Sequence, residues 1–187
     1  ACEAFILNSK GKILNLVHAI NLPDELLLYS NGTNVEPTIA HLDMFLIRED
    51  VAIEDATKKW TGLFISGEKS EECLTKLGVE LPEKNRFQRS QCQDFDIVLG
   101  NLEVAGFGYL LLTCESQLSS LESALVAAGI TKCSQEALQV TRIENATPWN
   151  ALDVSENNLP QELQRDSKAI NFNKGCYLGQ ETVARID

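Results

Sequence analysis

Residues 5–17 read Phe5-Ile6-Leu7-Asn8-Ser9-Lys10-Gly11-Lys12-Ile13-Leu14-Asn15-Leu16-Val17. Two apolar runs flank a polar stretch that closes on a glycine, the residue suited to the positive φ of a tight turn. A third run, Leu26-Leu27-Leu28-Tyr29, follows the turn residues Asn21-Leu22-Pro23-Asp24-Glu25. Three short runs separated by turn residues predict an antiparallel meander. Asn31-Gly32-Thr33-Asn34 breaks the pattern, and a helix is expected around Pro37, whose ring suits a first turn. Ile39, Leu42 and Leu46 then recur at helical steps.

Further along, Val51-Ala52-Ile53 and Gly62-Leu63-Phe64-Ile65 read as strands, and Glu71 to Leu77 as a short helix stopped by Gly78. Residues 79–94 hold Pro82, polar side chains and little periodicity, and read as a connecting segment. Phe107 to Thr113 predicts a strand. Leu118, Leu121 and Leu125 form a helical stripe ended by Gly129, with Ser119 and Glu122 at capping-box spacing. Ser134 can cap a further helix through about Asn145, and Pro148 prevents it running on. Strands and helices alternate irregularly, so the expected class is α+β with antiparallel sheets and flanking helices, not a doubly wound sheet.

Composition narrows the function. The 187 residues carry 27 acidic against 16 basic side chains, a formal net charge of −11. Holding nucleic-acid phosphates requires clustered Lys and Arg, so direct nucleic-acid binding is not expected. No apolar run reaches the roughly 18 residues of a membrane span. The six cysteines are scattered, without a C-x-x-C pair, and His18 and His41 stand at no metal-ligand spacing, so no metal site is expected and reduced thiols fit best. Dinucleotide, Walker A and nucleophile-elbow motifs are missing. The chain opens on Ala1-Cys2-Glu3 and holds one methionine, Met44, so it reads as the interior of a longer protein.

Three places can carry chemistry. In Lys174-Gly175-Cys176-Tyr177-Leu178-Gly179-Gln180-Glu181, two glycines bracket a cysteine and a tyrosine ahead of a helix expected from Gln180, with Arg185 four residues beyond Glu181. A cysteine ahead of a helix N-terminus and next to a lysine is where a lowered thiol pKa is expected. A buried inert cysteine in a glycine-rich corner is the commoner outcome of such spacing. In Arg142-Ile143-Glu144, Glu144 lies one turn beyond Val140 and two beyond Ala137, on a face read as inward. A carboxylate there either hydrogen-bonds the N–H edge of a polar heterocycle or makes a solvated helix edge or a pair with Arg142. Asn31, after the third strand, is either turn chemistry or an amide aimed into a pocket at the strand end.

K-G-C-Y-x-G-Q-E followed by Thr182-Val183-Ala184-Arg185 resembles the signature of the YgfZ family, folate-binding proteins related to the T-protein (aminomethyltransferase) of glycine cleavage. Arg142-Ile143-Glu144, Asn158-Leu159-Pro160-Gln161-Glu162-Leu163 and Ile170-Asn171-Phe172 precede it in the family's order, and Leu7-Asn8-Ser9-Lys10-Gly11-Lys12 resembles the family's first strand turn. The resemblance covers most of the chain and is specific in its last fifty residues. It implies a T-protein-like folate-binding module, truncated here at both ends and without the family's C-terminal barrel. It implies a strand-helix subdomain over 1–56 lining a folate pocket, and a sheet-helix subdomain over 57–187 ending in the motif. Cofactor contacts would come from Asn31, Glu144 and Arg142, and the working thiol would be Cys176, set among Lys174, Gly175, Tyr177, Gly179, Gln180, Glu181 and Arg185.

One departure separates the family's two branches. T-proteins carry an acid after the glycine turn, whereas Gly11-Lys12-Ile13-Leu14-Asn15-Leu16 holds none. An amide cannot exchange a proton at neutral pH. The resemblance therefore implies a tetrahydrofolate-binding protein that supports iron–sulfur cluster assembly or repair, with iron–sulfur assembly or client proteins as partners, in the cytoplasm or an organelle matrix. A folate-dependent aminomethyltransferase and a protein-binding scaffold without folate are the alternatives.

Overall fold

The computed structural model describes residues 1–32 and 35–186. The predicted meander is present: β1 (Cys2–Leu7), β2 (Ile13–Asn21) and β3 (Leu26–Tyr29) form an antiparallel sheet in the order β1-β2-β3. Register places Ile6 opposite Asn15, Phe5 opposite Leu16 and Glu3 opposite His18, with an irregularity at Ile6/Leu7. Alternation then puts Phe5, Leu16 and His18 on one face and Asn15 on the other. Helix α1 (Val35–Asp43) starts two residues ahead of Pro37 and presents a buried Thr38. Thr33 and Asn34, read from sequence as part of the break, lie outside the described residues.

The second sheet holds β4 (Thr61–Ser66), β5 (Phe87–Cys92), β6 (Phe95–Glu103) and β7 (Phe107–Thr113), all antiparallel, in the order β4-β7-β6-β5. Helix α2 (Ser70–Lys76) follows β4, and α3 (Glu115–Ala127) follows β7. Ile65, Ile97, Leu99, Tyr109 and Leu111 of this sheet pack with Leu74, Leu121 and Leu125 of the two helices in one buried cluster. Helix α4 (Gln135–Glu144) begins where Ser134 accepts a hydrogen bond from the Ala137 N–H at 3.2 Å, the cap that the sequence predicts. A 3₁₀ turn (Pro160–Leu163), α5 (Asp166–Ala169) and α6 (Gln180–Ile186) complete the chain.

Three readings of the sequence are corrected. Residues 79–94 are not merely a connecting segment: β5 lies inside them and pairs with β6 across the two-residue turn Gln93-Asp94, with Gln93 at φ 54°. Val51-Ala52-Ile53 forms no strand. Ser119 and Glu122 lie inside α3, whose N-cap is Cys114.

The chain divides into two compact units. One comprises residues 1–21, 25–55 and 148–187, and the other residues 22–24 and 56–147. The return to the first unit at residue 148 groups the K-G-C-Y-x-G-Q-E segment with the first sheet.

Candidate functional site

The two motifs most distant in sequence meet in the first unit. The β1–β2 turn is built by Asn8, whose Oδ1 accepts from the N–H groups of Lys10 (2.9 Å) and Lys12 (3.1 Å). Gly11 sits in the turn at φ 75°, and Gly179 just ahead of α6 at φ 78°. A Cβ on Gly179 would lie 2.7 Å from the Asn8 carbonyl oxygen and 2.7 Å from the Gly11 Cα. A Cβ on Gly11 would lie 2.7 Å from the Thr182 Cβ. The hairpin turn and the start of α6 therefore touch backbone to backbone, which only glycine at both positions permits. The Tyr177 N–H donates to Gln180 Oε1 at 3.0 Å, and the Tyr177 ring packs beside Leu7, Ile13, Val154 and Val183.

The other half of the motif is open. A Cβ on Gly175 would meet no atom within 4 Å, and Cys176 is an exposed free thiol. The Lys174 ammonium lies over the Tyr177 ring, 4.7 Å from its centroid, a cation–π contact that anchors the loop's first residue to its half-buried tyrosine. Glu181 and Arg185 are exposed on α6. The Asn158–Leu163 stretch braces the same hairpin: the Ile13 N–H donates to the Asn158 carbonyl (3.1 Å) and Lys12 Nζ to the Asn157 carbonyl (2.5 Å). Glu162 accepts from Asn158 Nδ2 (2.9 Å) and the Leu159 N–H (3.2 Å), bonds that hold its carboxyl below the ordinary value.

A buried amide network lies at the middle of β2. Asn150, 3% exposed, accepts from the Leu16 N–H at 2.9 Å and donates to the Leu16 carbonyl at 2.8 Å. Its Nδ2 also reaches Ser30 Oγ (2.9 Å) and Asn31 Oδ1 (3.3 Å). Ser30 donates to Asn15 Oδ1 at 2.9 Å, and Asn15 Nδ2 to Thr38 Oγ1 at 2.9 Å. Asn31, picked out from the sequence, thus sits at the edge of a network that the sequence did not reveal. The Asn150 contact spans 134 positions, and no local pattern around Asn150 signals it.

On the opposite sheet face Arg165 Nε donates to Glu3 Oε1 at 2.6 Å, and a second guanidinium N–H pairs with Glu3 Oε2. Both side chains are almost fully buried. Burial lowers the pKa of the neighbouring His18 imidazole, Glu3 opposes that shift, and Arg165 and the chain's amino terminus reinforce it.

In the second unit, the face of α4 bearing Ala137, Val140 and Glu144 is exposed, which corrects the inward reading. The inward residue is Arg142, 4% exposed, whose Nε donates to Gln139 Oε1 (2.6 Å) and whose Nη1 donates to the Thr147 carbonyl (3.2 Å). Glu144 is a carboxylate at a solvated helix end.

Among the described residues no group of three or more His, Cys, Asp or Glu could hold a metal ion, and no helix is long and apolar enough to cross a membrane. The molecule is of the α+β class, with a motif thiol presented from a loop clasped to the first hairpin.

No protein-family model matches the chain. It is 26% identical over 193 residues to a chloroplastic protein of Arabidopsis thaliana whose name places it provisionally among transferases, covering 99% of this chain and 44% of that one. It is 25% identical over 190 residues to the tRNA-modifying protein YgfZ of Aliivibrio fischeri (95% and 52% covered), and 23% identical over 180 residues to that of Colwellia psychrerythraea (96% and 53%). These likenesses support a YgfZ-type family. The chain spans about half the length of the curated relatives it matches.

Proposed function

We propose that the protein binds tetrahydrofolate or a derivative through a T-protein-like module and supports iron–sulfur cluster assembly or repair, acting on tRNA modification only through iron–sulfur enzymes. The observation that carries the reading is the K-G-C-Y-x-G-Q-E segment: its glycine-rich end is clasped to the first hairpin and its thiol stands in open space. A cysteine kept only for packing would be covered. Cys176 is the working thiol toward partner proteins, which supply the cluster. Asn31 is the folate contact proposed on the first unit, through its amide; Glu144, on the second unit, is proposed separately as an exposed carboxylate suited to the N–H edge of a pterin. Arg142 serves by holding the end of α4.

Asn15 supports a role without aminomethyl transfer. It stands in the stretch where T-proteins carry their acid, and its amide is already engaged by Ser30 and Thr38. A general acid or base must reach the reacting atom and exchange a proton, and an amide does not. The transferase reading remains as a second one, favoured by the name of the Arabidopsis relative.

Calorimetric titration of the intact protein with 5-formyltetrahydrofolate tests the pocket. Saturable binding is expected, weakened about 10- to 100-fold in Glu144→Gln because a charge-assisted bond is worth roughly 1.5–3 kcal/mol. Unchanged affinity in that variant removes Glu144 from the pocket, and absence of binding leaves the scaffold reading. Alkylation followed residue by residue in the native protein tests the thiol: Cys176 should react fastest, and Cys176→Ser should abolish support of iron–sulfur enzymes in cells while leaving folding intact. A Cys176 that reacts only after unfolding rejects its role. Turnover of an aminomethylated carrier at an ordinary enzymatic rate would establish the transferase instead.

A further inference from the structure

We infer that Asn150 is a positioning residue that fixes which way the Asn31 side-chain amide points, so that Asn31 offers N–H donors to an acceptor atom of its ligand, a carbonyl oxygen or an unprotonated ring nitrogen. The ligand's identity as a folate rests on the reading above; the amide orientation does not.

The argument starts from a group that cannot flip. The backbone of Leu16 presents one N–H and one C=O, and Asn150 answers both, Oδ1 to the N–H at 2.9 Å and Nδ2 to the carbonyl at 2.8 Å. Rotating the Asn150 amide by half a turn would set oxygen against oxygen and N–H against N–H, inside a site where Asn150 is 3% exposed. The orientation of Asn150 is therefore dictated by the main chain of β2. Its two Nδ2 hydrogens go to the Leu16 carbonyl at 2.8 Å and to Ser30 Oγ at 2.9 Å, and Asn31 at 3.3 Å shares one of them in a three-centre contact, so the atom that Asn31 turns toward it is Oδ1. The reverse orientation would place two NH₂ groups against each other.

Ser30 closes off the other choice. Its hydroxyl accepts from Asn150 Nδ2 at 2.9 Å, and so its single hydrogen goes to Asn15 Oδ1, also at 2.9 Å. Asn15 is then oriented with its Nδ2 on Thr38 Oγ1. The backbone of one residue thus orients three side-chain amides in sequence. Asn31 is the only one of the three that is not buried, and among the described residues its Nδ2 makes no hydrogen bond. Close packing keeps the relay rigid: a Cβ on Gly32, the residue after Asn31, would fall 2.6 Å from the Asn150 Cβ.

The test uses the intact protein, Asn150→Asp and two readouts. The carboxylate keeps the acceptor for the Leu16 N–H but removes the donor facing Asn31, so the Asn31 amide should turn and offer its carbonyl outward. Loss of one donor and gain of an opposed oxygen should weaken 5-formyltetrahydrofolate about tenfold near pH 7.5. As pH falls toward about 5 the buried carboxyl takes up a proton and again donates to Asn31 Oδ1, so the affinity ratio to the parent protein should return toward one. Protonation also restores a donor to the Leu16 carbonyl, so the separation of positioning from mere structural support comes from the exchange of the Asn31 amide itself. The second readout is solvent exchange of the Asn31 side-chain amide by NMR without ligand: fast in the parent protein, slowed in Asn150→Asp. Slow exchange in the parent protein overturns the inference whether or not the variant folds. So does parent-like affinity in Asn150→Asp across the pH range. A parent protein that binds no folate but shows the expected exchange pattern supports the orientation and rejects the folate reading alone.

Discussion

The four-stranded sheet builds its core from side chains close in sequence: Ile97 and Leu99 on β6, Tyr109 and Leu111 on β7, and Leu121 and Leu125 on the helix that follows. The three-stranded sheet is closed by residues 150–183, more than a hundred positions downstream. There the ties are an amide on the Leu16 peptide, the Glu3–Arg165 pair and the approach of Gly179 to Gly11. The second unit resists loss of apolar volume poorly but tolerates small geometric errors. The first unit's closure depends on fixed distances between backbones and on paired polar groups. The candidate chemistry lies mostly in the region built the second way, where atoms are held at defined separations.

Four measurements sharpen or break this contrast. The largest effect is expected from Leu111→Ala: the side chain is fully buried, and its loss should cost about 2–5 kcal/mol, read as lowered hydrogen-exchange protection of β6 and β7. Next comes Gly179→Ala, which adds one methyl group to a left-handed residue 2.7 Å from two backbone atoms. Strain and overpacking together should cost about 2–4 kcal/mol, localised to α6 and the β1–β2 turn, whereas Gly175→Ala should change stability by less than about 0.5 kcal/mol. Equal effects of the two substitutions would falsify the division of the motif into a clasped end and an open end.

The third measurement is pH dependence. The His18 pKa is lowered in the folded protein, chiefly by burial, so the unfolded chain binds its proton more readily. Stability is then fully present above the unfolded value of about 6.5 and declines as pH falls below it toward the folded value. His18→Phe should flatten that part of the stability curve; a curve unchanged by the substitution removes His18 as its source. The smallest effect is a gain. The end of α4 follows a Schellman pattern, with the Thr147 N–H on the Arg142 carbonyl and the Ala146 N–H on the Ile143 carbonyl. Its left-handed position is Ala146, at φ 49°. Ala146→Gly should stabilise by about 0.5–1 kcal/mol in thermal unfolding, since glycine occupies that region without a Cβ penalty.

What the sequence revealed follows the same division. The meander, α3 and the Ser134 cap depend on neighbours and were legible from turn residues and apolar spacing. The β5–β6 hairpin was missed because Phe-Gln-Arg-Ser-Gln-Cys carries apolar residues only at its ends, and its turn, Gln93-Asp94, lacks the glycine that marks most two-residue turns. Val140 and Ala137 share a face with Glu144 and make that face read as inward, yet Val140 is 56% exposed and tertiary packing turns Arg142 inward instead. The motif glycines were visible, but spacing could not tell that Gly179 meets Gly11 while Gly175 meets nothing. Asn150 carried no sequence signal, since its role depends wholly on a strand at the other end of the chain.

The Glu3–Arg165 pair joins residues 162 positions apart. At a synthesis rate of about 5–20 residues per second, β1 waits roughly ten to thirty seconds before its ionic partner is made. Residues 56–147, contiguous and rich in local pairing, can condense during that interval. On the ribosome, the first sheet made is among the last parts to be finished, and until then its buried glutamate has only water for company.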